Sequence, residues 1–596
     1  MEEAIQLPLL GPGIDGKSKA ISAQKRQNLY LEVKPEKDKT SLAAYGTPGL
    51  KFWTDTSEQP SRGMWWFQAA GKLYSVHSYA LLELTGNGIP VYRGNINTST
   101  GTVSMSDNGQ QLMIVDGQDG WIFEPESPEL QVVGTAGLIF TVTEPGYKRQ
   151  TGQFLEIQTN NPNIPAGGTV YVPSIAATAI AAGQHVTITS LGNTNFTLIG
   201  APYNTVGTTF YATGAATGTG TVASADTWEL DTGGAGTVPC AGTIRTLNSF
   251  RQITDAGFQG GDMVVFLDSY FITNIPNTRQ FQISQPYDGM TWDALQFASK
   301  ESYPDDLQAL AVDNGNLVLI GDISIEYWQN TGAYPFPFQR ISGSPTDIGI
   351  AAQWSGARCG GNLYFLARTR RGGVSVVKMF NYQPIVVSPP DLDYVIDGYL
   401  SPGDCISFAY RFNGHEFLEM NFGAQGATWL YDATSETWSR LTSGSNTRHY
   451  ALRGTQYNGQ IVASDYRNGN LYQLDVDTYT DNGDPIIREL ITPHTFAPTS
   501  FNKLHIYRLR LDMEQGIGLV DGQGSNPQVM LQVSRDGGYT WGNELWASPG
   551  AMGEYLRRAE WRRLGVSRSF VFKFRISDPV KVVLIGAAGY ATEAAK

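Results

Sequence analysis

The densest arrangement of chemistry-bearing side chains lies near the C-terminus. Ser534-Arg535-Asp536-Gly537-Gly538-Tyr539-Thr540-Trp541 fits the Asp-box pattern Ser-x-Asp-x-Gly-x-Thr-Trp at every fixed position. A carboxylate this close to two hydroxyls invites a catalytic reading. The spacing instead describes a β-hairpin turn: the Asp accepts local backbone N–H bonds, a Gly takes positive φ, and the Trp packs sideways on the neighbouring sheet. Ser534, Asp536, Gly538, Thr540 and Trp541 are therefore read as a structural box. Just beyond it, Arg557, Arg558, Arg562, Arg563 and Arg568 face only Glu560, the largest local density of cations in the chain. Tyr555, Leu556, Ala559 and Leu564 predict the apolar side of a short helix there. Pairing between subunits ranks first as the use of these arginines. Docking on an acidic partner comes second, and contact with DNA third.

Little else carries chemistry. There is no nucleotide loop, zinc spacing, nucleophile elbow or calcium loop. The six histidines, at 77, 185, 415, 449, 494 and 505, are scattered and read as packed or surface imidazoles. Cys240, Cys359 and Cys405 have no metal-like spacing and read as reduced, buried thiols of a protein assembled in a cytosol. No cofactor and no metal are expected.

These residues must be held by β-structure. At 596 residues the chain exceeds one ordinary core. Only 16% of residues are charged, against 67 Gly, 29 Tyr and 26 Phe, which favours short strands and tight turns over helical bundles. A net charge of -13 argues against a general nucleic-acid clamp, which needs clustered Lys and Arg to displace counterions. Met1-Glu2-Glu3 lacks the cationic start of a signal peptide, and no apolar run is long enough for a bilayer. The expectation is a soluble chain, not exported by itself and without membrane insertion.

A turn glycine followed by an apolar strand recurs. Gly71-Lys72-Leu73-Tyr74 is echoed at Gly109, Gly261, Gly315, Gly361, Gly414 and Gly469, mostly about forty to fifty-five residues apart, the length of a four-stranded propeller blade. Asp288-Gly289-Met290-Thr291-Trp292 is a partial Asp-box, and Trp429 to Trp438 reads as a propeller hairpin. The gap from Gly109 to Gly261 is too long by about a hundred residues, and no Lys or Arg lies between Arg149 and Arg245. Val186, Ile188, Phe196, Leu198, Phe210 and Val222 supply a small core, so an ordered inserted β domain is expected rather than a Gly/Thr linker. Lys34 to Lys39 and Arg368-Thr369-Arg370-Arg371 read as solvated charged turns, and Tyr334-Pro335-Phe336-Pro337-Phe338 as a loop or edge cover. Propeller sialidases also use Asp-boxes, with converging arginines and a Tyr nucleophile. Arg340, Arg358, Arg368 and Tyr364 are the residues to test for that. Sialidases repeat full boxes along the chain, however, and the full box here lies outside the propeller.

Together with Asn28-Leu29-Tyr30-Leu31-Glu32-Val33 and Tyr45-Gly46-Thr47-Pro48-Gly49-Leu50, the C-terminal segments resemble the tail-nozzle proteins of short-tailed phages, also called packaged-DNA stabilisation proteins. The likeness covers about the first fifty and last sixty residues well and the middle in general character. The insertion is similar to a small β module found in assorted phage tail proteins. The fold expected is mainly β: a propeller with an inserted β domain and a platform built from both termini. Its parts are 1–55 (platform), 56–140 (blades), 141–247 (insertion), 248–490 (blades) and 491–596 (platform). The resemblance implies a non-enzymatic virion protein of the tail, assembled in the host cytoplasm. It implies a homohexameric ring below the portal and its adaptor (the head-to-tail connector), bearing fibres or tailspikes and a tail needle or tip plug. Genomic DNA would pass the lumen without sequence-specific binding. The alternatives are the propeller glycosidase and a receptor-binding fibre or spike, whose usual long repetitive β-helical or coiled segments are not seen.

Overall fold

The computed structural model describes residues 3–593 apart from 12, 34–40, 127–129, 135–138, 145–150, 152–153, 160–163, 165–166, 232–240, 344–345, 370–371 and 498–500. Cys240, the Lys34–Lys39 turn, Arg370 and Arg371 lie outside the described residues. The chain forms two compact units. One is Met1–Ser106, Val115–Asp119 and Asp255–Lys596; the other is Asp107–Ile114 and Gly120–Thr254.

Tight hairpins cut the first unit into antiparallel sheets. Asn314-Gly315, Asn413-Gly414 and Asn458-Gly459 each have positive φ at both residues, the turn whose twist matches the flanking strands. Among the described residues, six blade-sized sheets follow in order, spanning 61–95, 264–299, 307–340, 348–386, 405–441 and 451–475. They pack face to face, and strand periodicity makes this possible. In Asn316–Gly321, Leu317 and Leu319 enter the core shared with the 264–299 sheet, while Val318 and Ile320 enter the core shared with the 348–386 sheet. Asn362–Thr369 repeats the arrangement: Leu363 and Phe365 face one way, Tyr364 and Leu366 the other. Such strands are apolar on both faces, so they read as continuous hydrophobic runs. The predicted β-propeller is the fold observed.

The last of these sheets is completed from the N-terminus. Gly49–Asp55 pairs antiparallel with Asn470–Asp475, Leu50 opposite Leu474. This strand falls inside the 1–55 segment assigned to the platform, but it belongs to a blade sheet.

The C-terminal strands form a sandwich. One sheet runs Leu29–Val33, Leu42–Gly46, Val583–Glu593, Leu504–Met513, Ala559–Ser567, with Glu3–Leu7 on Val583–Glu593. The other runs Lys25–Gln27, Arg488–Ile491, Val571–Ile576, Val529–Ser534, Leu545–Ala547. Leu29, Leu31, Leu509, Leu511, Leu531 and Phe572 fill the space between them. Lys25–Gln27 also pairs parallel with Thr437–Leu441, so a blade sheet and a sandwich sheet are continuous. Asn28, at φ 54°, pins the junction: its amide donates to the Thr442 and Ile487 carbonyls at 3.0 and 2.9 Å.

In the second unit, Gly120–Glu126 pairs with the far end of the long strand Ala241–Gln252. The near end of that strand pairs on one side with Leu130–Gly134 and on the other with Phe154–Thr159. Through Ile139–Thr143, Thr227–Asp231 and Gly167–Tyr171 the six strands close on themselves around Val132, Phe140, Ile157, Trp228 and Ile244. Closure removes the exposed edges a small sheet would otherwise present. Between Gly167–Tyr171 and Thr227–Asp231 sits a separate four-stranded module cored by Val186, Ile188, Phe196, Phe210 and Val222. Leu198, expected in that core, is 77% exposed, because the short 3-10 turn Phe196–Ile199 points Phe196 and Ile199 inward instead. The inserted strands start at Leu130, ahead of residue 141, which lies inside Ile139–Thr143.

Candidate docking surface

The Asp-box closes the hairpin between Val529–Ser534 and Leu545–Ala547. Asp536 accepts from the Tyr539 and Thr540 amides at 3.0 and 2.9 Å and from the Ser534 and Thr540 hydroxyls at 2.7 and 2.5 Å. The Thr540 hydroxyl first, then these other donors, hold its carboxyl down at about 2. Gly537 and Gly538 have φ of 78° and 95°. Lys573 lies 4.2 Å from the centre of the Trp541 ring, a cation–π contact with the adjacent strand. Every Asp536 acceptor is occupied by the turn itself, so the carboxylate is not available to a substrate.

The predicted short helix at 555–564 is not formed. Residues 551–558 form a loop with turns at 552–553 and 555–556, and Ala559–Ser567 is a strand. Ala559, Trp561 and Leu564 point into the sandwich core, while Tyr555 and Leu556 stand in solvent, Leu556 at 98% exposure. Leu504–Met513 offers a ladder partner, which outweighs local helical spacing.

A β-bulge shapes the arginine run. Ile506 pairs with Gly565 and Arg508 with Arg562, so Arg563 and Leu564 oppose Tyr507 alone. Arg563 takes φ 61° and Gly565 φ 94°. The extra residue leaves two successive arginines, 562 and 563, on the solvent side. Arg557, Arg558 and Arg568 are exposed as well. Arg508 and Arg562 are direct cross-strand neighbours, a like-charge pairing that costs stability. Glu560 offsets it by accepting from Arg510 at 2.6 Å and Arg562 at 2.8 Å, and Arg510 foremost lowers its carboxyl. Arg508 stacks on Tyr590 at 3.8 Å. Arg508 and Arg510 extend the surface beyond the predicted residues, and the alternation Arg508-Leu509-Arg510-Leu511 was the signal for them. The adjoining loop adds exposed Met552, Tyr555 and Leu556, braced where the Gly553 amide meets the Gly516 carbonyl at 3.3 Å.

The sialidase candidates do not form a site. Arg340 donates to the Ser302 hydroxyl at 2.8 Å, and Arg358 to the Val312 and Gly361 carbonyls at 3.2 and 3.1 Å. Arg368 stands in the ladder opposite Gly349. Tyr364 is packed against Tyr431, and burial pushes its phenol up to about 12. The histidines have local partners: His415 meets Asp432 at 2.7 Å and His449 meets Glu419 at 2.9 Å. Cys359 and Cys405 are free and buried, their thiols pushed up to about 12 by burial. Among the described residues no cluster of His, Cys, Asp or Glu is placed to hold a metal, and no helix is long and apolar enough to cross a membrane.

Face-packed blades, a strand borrowed from the N-terminus and a two-sheet sandwich define the class: a β-propeller protein with an appended β-sandwich. Residues 157–479 match the family model described as Bacteriophage P22 Gp10, beta-propeller, and residues 488–589 match Bacteriophage P22 Gp10, beta-sandwich. The chain belongs to the Bacteriophage P22 Gp10 family, and is a structural protein of a phage tail. No curated protein matches it. Solved structures similar to it include the WD40 propeller of Doa1 (8% identity, 71% of this chain and 96% of that one, TM-score 0.31). The N-terminal domain of Nup159 gives 7% identity, 75% and 98% coverage and TM-score 0.33. The Neurospora crassa Pan2 WD40 domain gives 9%, 79% and 94%, and 0.21. At these scores the likenesses carry no argument.

Proposed function

We propose that six copies of this chain form the nozzle ring of a short-tailed phage, below the portal and its adaptor. The ring retains the packaged genome, conducts it during ejection, and carries fibres or tailspikes and a terminal plug. The observation that supports this most is family membership over more than half of the chain. The surface described above supports the reading. Arg508, Arg510, Arg562 and Arg563 against Glu560 leave a cationic surplus on a chain whose net charge is -13. A surplus of the minority sign concentrated on one sheet face suits an acidic partner surface, and opposite-sign faces steer association. A neighbouring subunit is the first candidate and the adaptor the second. The predominantly acidic chain lets DNA pass without adhering, because phosphate contacts need a surplus of cations and the net charge is -13.

The isolated chain is expected to be monomeric and to become a ring only on the adaptor complex. Native mass measurement before and after adding adaptor tests this, and a stable hexamer without adaptor contradicts it.

A further inference from the structure

A cavity of about 300 Å³ opens in the first unit, lined by residues 30, 32 and 45–48 of the N-terminal signature together with residues 413, 476, 477, 479, 488, 581 and 582. Arg488 lines it at 2% exposure. Its Nε and Nη1 are buried and have no hydrogen-bond acceptor. Arg26, equally buried, shows what a satisfied guanidinium looks like here: it donates to Ser439 Oγ, the Gly11 carbonyl and the Trp438 carbonyl at 2.9, 3.0 and 2.6 Å. Burial lowers Arg488 to about 10, opposed by the nearby Asp481. A buried cation with unmet donors is among the costlier features a fold can keep. The backbone makes room for it: a Cβ on Gly46 would fall 2.6 Å from Arg488 Nε, which gives the glycine of the Tyr45-Gly46-Thr47-Pro48 run a reason.

The walls narrow the ligand class. Tyr30 and Tyr45 stack at 5.7 Å and 24° along one side. Glu32, Asp477 and Lys581 complete the charged lining, and Lys581 is engaged by Glu514 at 2.9 Å. A guanidinium is matched by a planar carboxylate. The Asp477 carboxylate in the lining disfavours a dianion and favours a positive group beside the bound carboxylate. We propose that this cavity binds a carboxylate carrying a nearby ammonium group, with Arg488 holding the carboxylate and Asp477 facing the ammonium. A free amino acid and an acidic residue beside a lysine on a docked peptide present the same chemistry. The inference does not depend on the ring reading.

Ligand-observed NMR on the full chain tests it, using glycine, a blocked Asp-Lys dipeptide, acetate and inorganic phosphate at constant ionic strength. Glycine or the dipeptide is expected to bind at least about tenfold tighter than acetate or phosphate, and the tighter of the two identifies the source. Arg488→Lys keeps the charge but loses the fork, and weakens that binding about tenfold. Asp477→Asn, on an exposed position that leaves the core intact, weakens the zwitterion about threefold and leaves acetate no weaker. Phosphate binding as tightly as the better of glycine and the dipeptide overturns the proposal. So does the absence of saturable binding by any of the four, or an Asp477→Asn variant with unaltered preference.

Discussion

Asp536 shows how a residue with catalytic chemistry becomes structural. Its depressed carboxyl makes the Asp-box sensitive to acid in a definite direction. The folded value, about 2, lies below the unfolded carboxylate value of about 3.9, so its contribution is present above pH 4 and is lost as pH falls toward 2. Asp536→Asn is expected to cost about 1 kcal/mol at neutral pH, a modest figure because the group is exposed and solvent-screened, and to flatten acid unfolding between pH 4 and 2. Urea melts of both proteins across that range check it; parallel pH profiles would show that the carboxylate is not what holds the turn. His449 runs the other way. Burial opposes its charge, but Glu419 at 2.9 Å prevails and raises the imidazole. That stabilisation is complete below about pH 6.5 and fades as pH rises through the raised value. His449→Ala strands a buried carboxylate and is expected to cost about 3 kcal/mol at pH 6, read from a denaturant midpoint. The box was legible because all its donors and acceptors lie within one turn. Arg488 was not, since the residues around it come from positions 30 to 582.

At the scale of elements, local grammar and long-range pairing separate cleanly. The turn glycines at 315, 361 and 414 do open the second strand of a blade sheet, because positive φ is a local demand. Gly261 leads into a first strand and Gly469 into a third; Asn458-Gly459 is the true counterpart in the last sheet. Nothing local told Gly49–Asp55 that its partner was Asn470–Asp475, since an alternating strand fits many sheet edges. The helix at 555–564 failed for the same reason: its apolar spacing was real, but a bulge served it as well. The register Glu126 opposite Leu247 supplies a clean excision. Replacing residues 127–246 with Asn-Gly joins two paired strands by a two-residue hairpin. The shortened protein is expected to melt cooperatively within a few degrees of the parent and to lose attachment of fibres, spikes or tip. Loss of cooperative melting would make the insertion part of the core instead.

For the whole molecule, the propeller and the family were legible, because blade-length repeats and the terminal motifs are written in short runs; the terminal β platform was expected, but its two-sheet sandwich form was not. How many copies meet is a property of faces, and faces are assembled from strands far apart in sequence. Reversing Arg562 and Arg563 to Glu is expected to leave the monomer folded, both side chains being exposed. It should weaken ring assembly about a hundredfold, with a shallower salt dependence, read by sedimentation in the presence of adaptor. Assembly at parental strength would remove that face from the interface. The most direct test of the central claim is electron cryomicroscopy of the phage tail with this chain labelled. Six labelled copies are predicted around an axial passage wide enough for duplex DNA, immediately below the adaptor. Three copies on a shaft, or labels at the fibre tips, would contradict the account.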